Sequence, residues 1–305
     1  MTALAPVRNP VAANLICSLS MLVWAAGLPA ADMLIGLVPP LPLTAARVVL
    51  AAAFLLPLWV LLDGWAAVRG ANWGKGVMIG SMIAFGAFLL VLGQGMTDAV
   101  TVAVISASMP VVGIAIEVVL DGRRLTAGVL VGVVLSLLGG VLALAGKVGG
   151  IGLGLGAALA FTSVAVFALG SRWTVTEFPT LTQIGRTTVT LGGAAVVASV
   201  LAAGSSLAGA AGPEWGALGW PHLGALAIFS IGALAISQVL WIMSVGSLGI
   251  GLASLHINLA PFYVMFILFG LGGKWDWLQA LGAVIVGLGV LVAQGVIPWH
   301  RAVRR

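Results

Sequence analysis

The 305-residue chain is 61% hydrophobic and 7% charged, with a net charge of +5 and a mean hydropathy of +1.21, whereas about a quarter of the residues of a soluble domain are charged. That composition excludes a water-soluble globular domain and points to an all-α integral membrane protein with the lipid bilayer as its solvent. The basic surplus does not make a nucleic-acid binder, since Lys and Arg stand singly between apolar runs, and the lone cysteine, Cys17, excludes an internal disulfide or a multi-cysteine metal site.

A membrane crossing takes about 20 apolar residues for roughly 30 Å of hydrocarbon. Taken in order, the apolar runs predict ten helices: 11–35, 42–62, 76–96, 100–120, 126–146, 151–171, 181–203, 222–245, 252–271 and 277–296. The first run is too long for a signal-peptide core and lacks a cleavage site, so it is expected to be retained. It carries Cys17, expected to pack, and Trp24, set away from the interfaces; Asp32 near its end is expected to be wet. Helix 2 begins at Pro42-Leu43-Thr44 with Arg47 in its first two turns, and helix 3 has the stripe Met82, Phe85, Gly86 and Leu89. That stripe is either an adaptable cavity wall or ordinary core. Helix 4 carries Ser106, Ser108 and Pro110, with Glu117 near its end, also expected to be wet unless it turns into the bundle. Helix 5 has a ridge of small residues at Gly128, Gly132, Ser136 and Gly140, suited to close packing. Helix 7 follows Pro179 and Leu181-Thr182 and leads to Arg186; helix 8 has Gln238 and Trp241 on one face; helix 9 has His256, Asn258, Pro261 and Tyr263.

The order repeats. Pro110 and Pro261 sit in matching helices, each followed by an apolar stretch, a short polar break and a Gly-rich helix, and the Arg47 and Arg186 segments match as well. Residues 1–148 and 149–305 are therefore expected to be two five-helix repeats. Five is odd, so the second repeat enters the membrane inverted, an arrangement suited to alternating access around a midplane site. With the N-terminus inside, Arg8, Arg69, Lys75, Arg123, Arg124, Arg172, Arg301, Arg304 and Arg305 are cytoplasmic and only Lys147 and Lys274 are outside. Lys and Arg concentrate in cytoplasmic loops, so both termini are expected in the cytoplasm. Trp65, Trp73, Trp173, Trp215, Trp220, Trp275, Trp277 and Trp299 fall at predicted span ends, as interfacial belts do.

Polar groups inside the spans are the candidate site. His256 and Tyr263 share a helical face. His256 either binds a substrate carboxylate, carries a coupling proton, or is a neutral imidazole bonded to a neighbouring helix. Gln238 and Trp241 offer an amide and an indole to a substrate, or pack and bond internally. A proline in mid-helix frees a carbonyl, so Pro110 and Pro261 read as hinges, with Ser106, Ser108 and Asn258 lining the exposed backbone. Arg47 and Arg186, placed toward opposite faces, either snorkel to the interface or act as gate or electrostatic groups that attract carboxylates. No His-Glu-x-x-His, Gly-x-Ser-x-Gly or Gly-x-x-x-x-Gly-Lys motif occurs, so no catalytic residue, metal or cofactor is expected and the chain does not read as an enzyme.

Trp24-Ala25-Ala26-Gly27, Leu43-Thr44-Ala45-Ala46-Arg47, Ser108-Met109-Pro110 and Asn258-Leu259-Ala260-Pro261 together resemble the drug/metabolite transporter (DMT) superfamily, specifically its ten-helix EamA-type exporters. Within it the chain looks most like the YddG-type aromatic amino-acid exporters. The resemblance implies an inner-membrane protein, N-in and C-in, with a central cavity lined by helices 1, 3, 4, 6, 8 and 9. The expected function is export of aromatic amino acids and related amphipathic metabolites by a monomer, with a proton as the candidate coupling ion. The alternatives are export of threonine or homoserine, cysteine derivatives or toxic compounds, and a non-transporting membrane scaffold.

Overall fold

The computed structural model describes residues 9–97, 99–122, 124–144, 154–275 and 277–293. Arg8, Arg123, Lys147, Asp276, Trp299, Arg301, Arg304 and Arg305 lie outside the described residues, as do the side chains of Ser136 and Gly140.

Helix α1 (Pro10–Asp32) starts at Asn9, whose side chain accepts from the Val11 N–H, with Pro10 in the first turn. Helix α2 (Pro40–Gly70) outruns its expected end and breaks at Gly64, where φ is 83°. Helix α3 is Trp73–Gly95. The fourth predicted helix is two pieces, α4 (Ala99–Ser106) and α5 (Met109–Asp121). Helices α6 (Ala127–Leu144), α7 (Leu155–Thr176) and α8 (Gln183–Leu207) follow. Thr182 caps α8 through the Gly185 N–H, and Thr187, Thr188 and Thr190 each donate a hydroxyl to a carbonyl four residues back, so buried threonines cost no unpaired group. The eighth predicted helix runs as α9 (Trp220–Ala227), a π-helical stretch (Ile228–Ile236) and α10 (Ser237–Leu248). The ninth is α11 (Ile250–Ser254), a 3₁₀ turn (Leu255–Leu259) and α12 (Ala260–Gly270). Helix α13 is Trp277–Ala293.

Both prolines expected in mid-helix stand in the first turn of a new helix, α5 and α12. There the missing N–H has no intrahelical partner to lose. The chain breaks its helix just upstream instead of bending through it.

Among the described residues, seven helices are long and apolar enough to cross a membrane: Val11–Asp32, Pro40–Gly70, Trp73–Gly95, Leu155–Thr176, Gln183–Leu207, Trp220–Leu248 and Ile250–Gly270. The protein is a multi-pass membrane protein. Its outer surface is correspondingly apolar, with Leu15, Leu61, Val119, Val200 and Phe266 all exposed.

Around the bundle, α1 packs on the π stretch and α10, while α7 packs on α3; α2 packs on the π stretch, and α8 on α3. Helix α1 also meets α12, and α7 meets α4 and α5. The pairs α2–α8, α5–α11 and α6–α13 complete the set. Glycines permit the closest crossing: a Cβ on Gly80 would run into the backbone of Thr190, Gly193 and Ala194, and one on Gly193 into the backbone of Gly76. Gly128 likewise approaches the Val292 carbonyl, a Cβ there lying 3.3 Å from its oxygen.

Gly193→Leu should therefore lower stability by at least about 1–3 kcal/mol through overpacking. Gly224→Ala, where a Cβ meets nothing within 4 Å, should leave the melting temperature in detergent unchanged.

Candidate functional site

A narrow cavity lies between the helices, with about 60 Å³ available to the centre of a water molecule. Helix α1 contributes Met21 and Trp24, and α7 contributes Ser163, Val164 and Phe167. Helix α3 gives Ile83, Gly86, Ala87 and Leu90; the π stretch and α10 give Ala233, Leu234, Ser237, Gln238 and Trp241. Ser106, Met109 and Ile257 come from the broken helices, and Arg47 from α2.

The walls are tied together by side chains that donate to carbonyls of other helices. Ser20 Oγ donates to Ser237 O at 2.8 Å, and Ser163 Oγ to Gly86 O at 2.7 Å. Trp241 is wholly buried, its Nε1 donating to Ser171 Oγ at 2.9 Å, and its ring lies 6.1 Å from that of Phe167. The indole is held by its polar edge, which leaves the flat face for packing.

Arg47 is the cavity's cation and does not snorkel: the residue is 4% exposed. Its Nε donates to the Phe229 carbonyl at 3.2 Å, and its guanidinium carbon lies 3.9 Å from the Phe229 ring centroid. The pairing with Arg186 fails in the third dimension. Arg186 is half-buried and donates to the carbonyls of Phe178 and Pro179, in the loop that precedes its own helix.

Of the other residues picked from sequence, Trp24, Ser106, Gln238 and Trp241 line the cavity. Phe85 is 52% exposed on the outer face and Met82 is half-buried outside the lining; the wall of α3 is Ile83, Gly86, Ala87 and Leu90, one position further round. Ser108 lies in the α4–α5 turn and donates to Ile105 O. His256 and Asn258 are buried in the 3₁₀ turn, outside the lining, with His256 Nδ1 and both Asn258 amide atoms lacking partners. Tyr263 packs half-buried beside Trp24, and Pro110 and Pro261 are buried behind the wall.

Glu117, read as wet, is 6% exposed and accepts from the Gly251 N–H at 2.9 Å, at the start of α11. Beside it Gly113 fits tightly, where a Cβ would lie 3.0 Å from Ser254 Oγ and 3.1 Å from Ile250 O. Helices α5 and α11 are thus in close contact. Nearby helix ends carry the ion pairs Lys75–Glu177 and Arg172–Asp121 and a Thr182–Asp63 bond.

Sequence reading missed Met21, Phe167 and Met109. A signal for Phe167 was available, since Ser20-Met21-x-x-Trp24 and Ser163-Val164-x-x-Phe167 have one spacing.

Removing the Ser171 hydroxyl strands a buried indole N–H. Ser171→Ala should cost roughly 1–3 kcal/mol, read as a lower melting temperature in detergent.

A solved crystal structure of a protein matches this fold with a TM-score of 0.76 at 21% identity, covering 97% of this chain and 100% of that one. The Uncharacterized transporter YyaM of Bacillus subtilis (strain 168) is 39% identical over 62 residues, a match that spans 20% of this chain and 20% of that relative. Residues 11–145, from α1 through α6, match the model of the EamA-like transporter family.

Proposed function

We propose that the chain is a secondary-type carrier of the DMT superfamily that exports aromatic amino acids and related amphipathic metabolites by alternating access. In this reading ten crossings form two inverted repeats, 1–148 and 149–305, with both termini cytoplasmic in an inner or plasma membrane. The three crossings beyond the seven long helices are α4–α5, α6 and α13. The duplication supplies both halves of the carrier, so the unit is a monomer, and a YddG-type preference for aromatic bodies suits walls built by Trp24, Phe167 and Trp241.

The reading is carried by the exchange relation in the cavity wall. Ile83 and Leu234, Gly86 and Ser237, Ala87 and Gln238, Leu90 and Trp241, and Ser106 and Ile257 are all wall residues, and each pair is 151 positions apart. Pro110 and Pro261 keep the same separation. Met21 with Val164 and Trp24 with Phe167 share a second constant separation. The cross-bonds obey it too, since a serine of each repeat's first helix donates to a carbonyl on the third helix of the other. Helix packing follows the same exchange: α1 on α10 corresponds to α7 on α3, α5–α11 corresponds to α4–α12, and α2–α8 and α6–α13 map onto themselves. A wall built twice from swapped halves has two related arrangements available, as alternating access requires. Helix breaks upstream of Pro110 and Pro261 are where the halves rock, and the α5–α11 contact is the gate closed here.

Counterflow of radiolabelled tryptophan, phenylalanine and threonine in proteoliposomes tests the reading. Saturable exchange that favours the aromatic pair is expected, and Trp241→Ala should reduce it roughly tenfold at subsaturating substrate. Flux of threonine alone would move the cargo to small polar metabolites, and absence of all exchange would remove the carrier reading.

A further inference from the structure

We propose that Arg47 is the cargo's anchor and that the cavity selects amphipathic carboxylates, with no requirement for an ammonium group. The inference rests on the carrier reading only in calling the ligand cargo; the site itself stands on geometry.

Arg47 breaks the exchange relation of the wall. Its counterpart Arg186 is outside the cavity, engaged with loop carbonyls, so the lining carries one fixed positive charge with no matching cation. That charge is buried with no carboxylate within ion-pair distance among the described residues. An uncompensated buried charge is costly to keep, and here it is held in place. Nε is committed to the Phe229 carbonyl and the guanidinium face to the Phe229 ring, which leaves both Nη groups, the end-on fork that fits a carboxylate in bidentate fashion. The carbonyl that anchors it belongs to the π-helical stretch, a widening of the helix that recurs at functional sites.

A second polar side chain lines the same cavity. Gln238 is 3% exposed, lines the cavity, and its Nε2 has no partner. The remaining polar lining offers nothing comparable to a cation. No Asp or Glu is among the lining residues, and the hydroxyls of Ser106, Ser163 and Ser237 offer an ammonium only neutral acceptor lone pairs, with no charge to offset Arg47. The Trp241 N–H is spent on Ser171. A site of surplus donors, one fixed cation and apolar or aromatic walls attracts an oxyanion on an apolar body and repels an amine.

Binding of indole-3-propionate, tryptophan and tryptamine to the purified full-length protein in detergent tests this without any variant. The acid is expected to bind at least as tightly as tryptophan and about tenfold or more tighter than the amine. Arg47→Gln should abolish the preference for acid over amine, and Arg47→Lys should keep part of it. If the Arg47 variants elute as misfolded protein, Gln238→Leu provides the second reading, with an expected loss of about threefold or more for the acid and little change for the amine. Equal binding of acid and amine, or no binding of the acid, overturns the proposal, as does an unchanged preference in folded Arg47→Gln. Counterflow of tryptophan is scored separately. Selective acid binding without any exchange would remove the carrier reading and leave the carboxylate site standing.

Discussion

Within hydrocarbon a backbone carbonyl released from its helix must be bonded by the protein itself, and this constraint organises the whole molecule. The helices around the cavity are interrupted at four places: α4–α5, the π stretch, the 3₁₀ turn before α12, and the Gly249 junction where φ is 80°. Each interruption is met by polar side chains. Arg47 reaches the Phe229 carbonyl, Ser108 bonds Ile105, Cys17 bonds Ala253, and Glu117 takes the Gly251 N–H. Gln94 does the same at the end of α1, donating to the carbonyl of Leu28 and to Asp32.

All of these but the local Ser108–Ile105 bond join helices that are distant in the chain, so they also set which helices touch. Apolar side chains cannot do this in lipid, where the tails are as apolar as leucine and burial provides little drive. Specific contact falls to small residues and to donated hydrogen bonds. The Gly76–Gly80–Gly193 crossing supplies the first, and the Ser20–Ser237 and Ser163–Gly86 bonds the second. The cavity persists between them because its walls are held from behind, Trp241 by Ser171 and Arg47 by Phe229. What remains turned toward the interior is aromatic surface and unspent donors.

Part of the site was legible because its residue types are unusual inside a span. Trp24, Gln238 and Trp241 stand out in apolar helices, and their place in the wall follows from the cost of leaving such groups against lipid. Helix phase was less legible. The stripe through Phe85 and the true wall through Ile83, Gly86, Ala87 and Leu90 are equally apolar, and on a helix surrounded by lipid and protein no polar face marks which side is inward. The prolines announced interruptions but not their form, since a proline permits either a bend or a fresh helix start.

By itself the sequence determined a membrane-bound helical chain and most of its span positions, because these depend on composition and local periodicity. Only the tertiary structure decided the fate of each charge. Arg47 and Arg186 occupy matching positions in matching segments. One is buried on Phe229 of a helix packed against its own, and the other bonds the loop that precedes its helix although α3 packs on that helix. Glu117 is buried for the same reason, since α11 brings the Gly251 N–H to it. A buried charge in a membrane protein takes its environment from whichever segment packs across from it, and for Arg47 and Glu117 that neighbour is more than a hundred residues away in the chain.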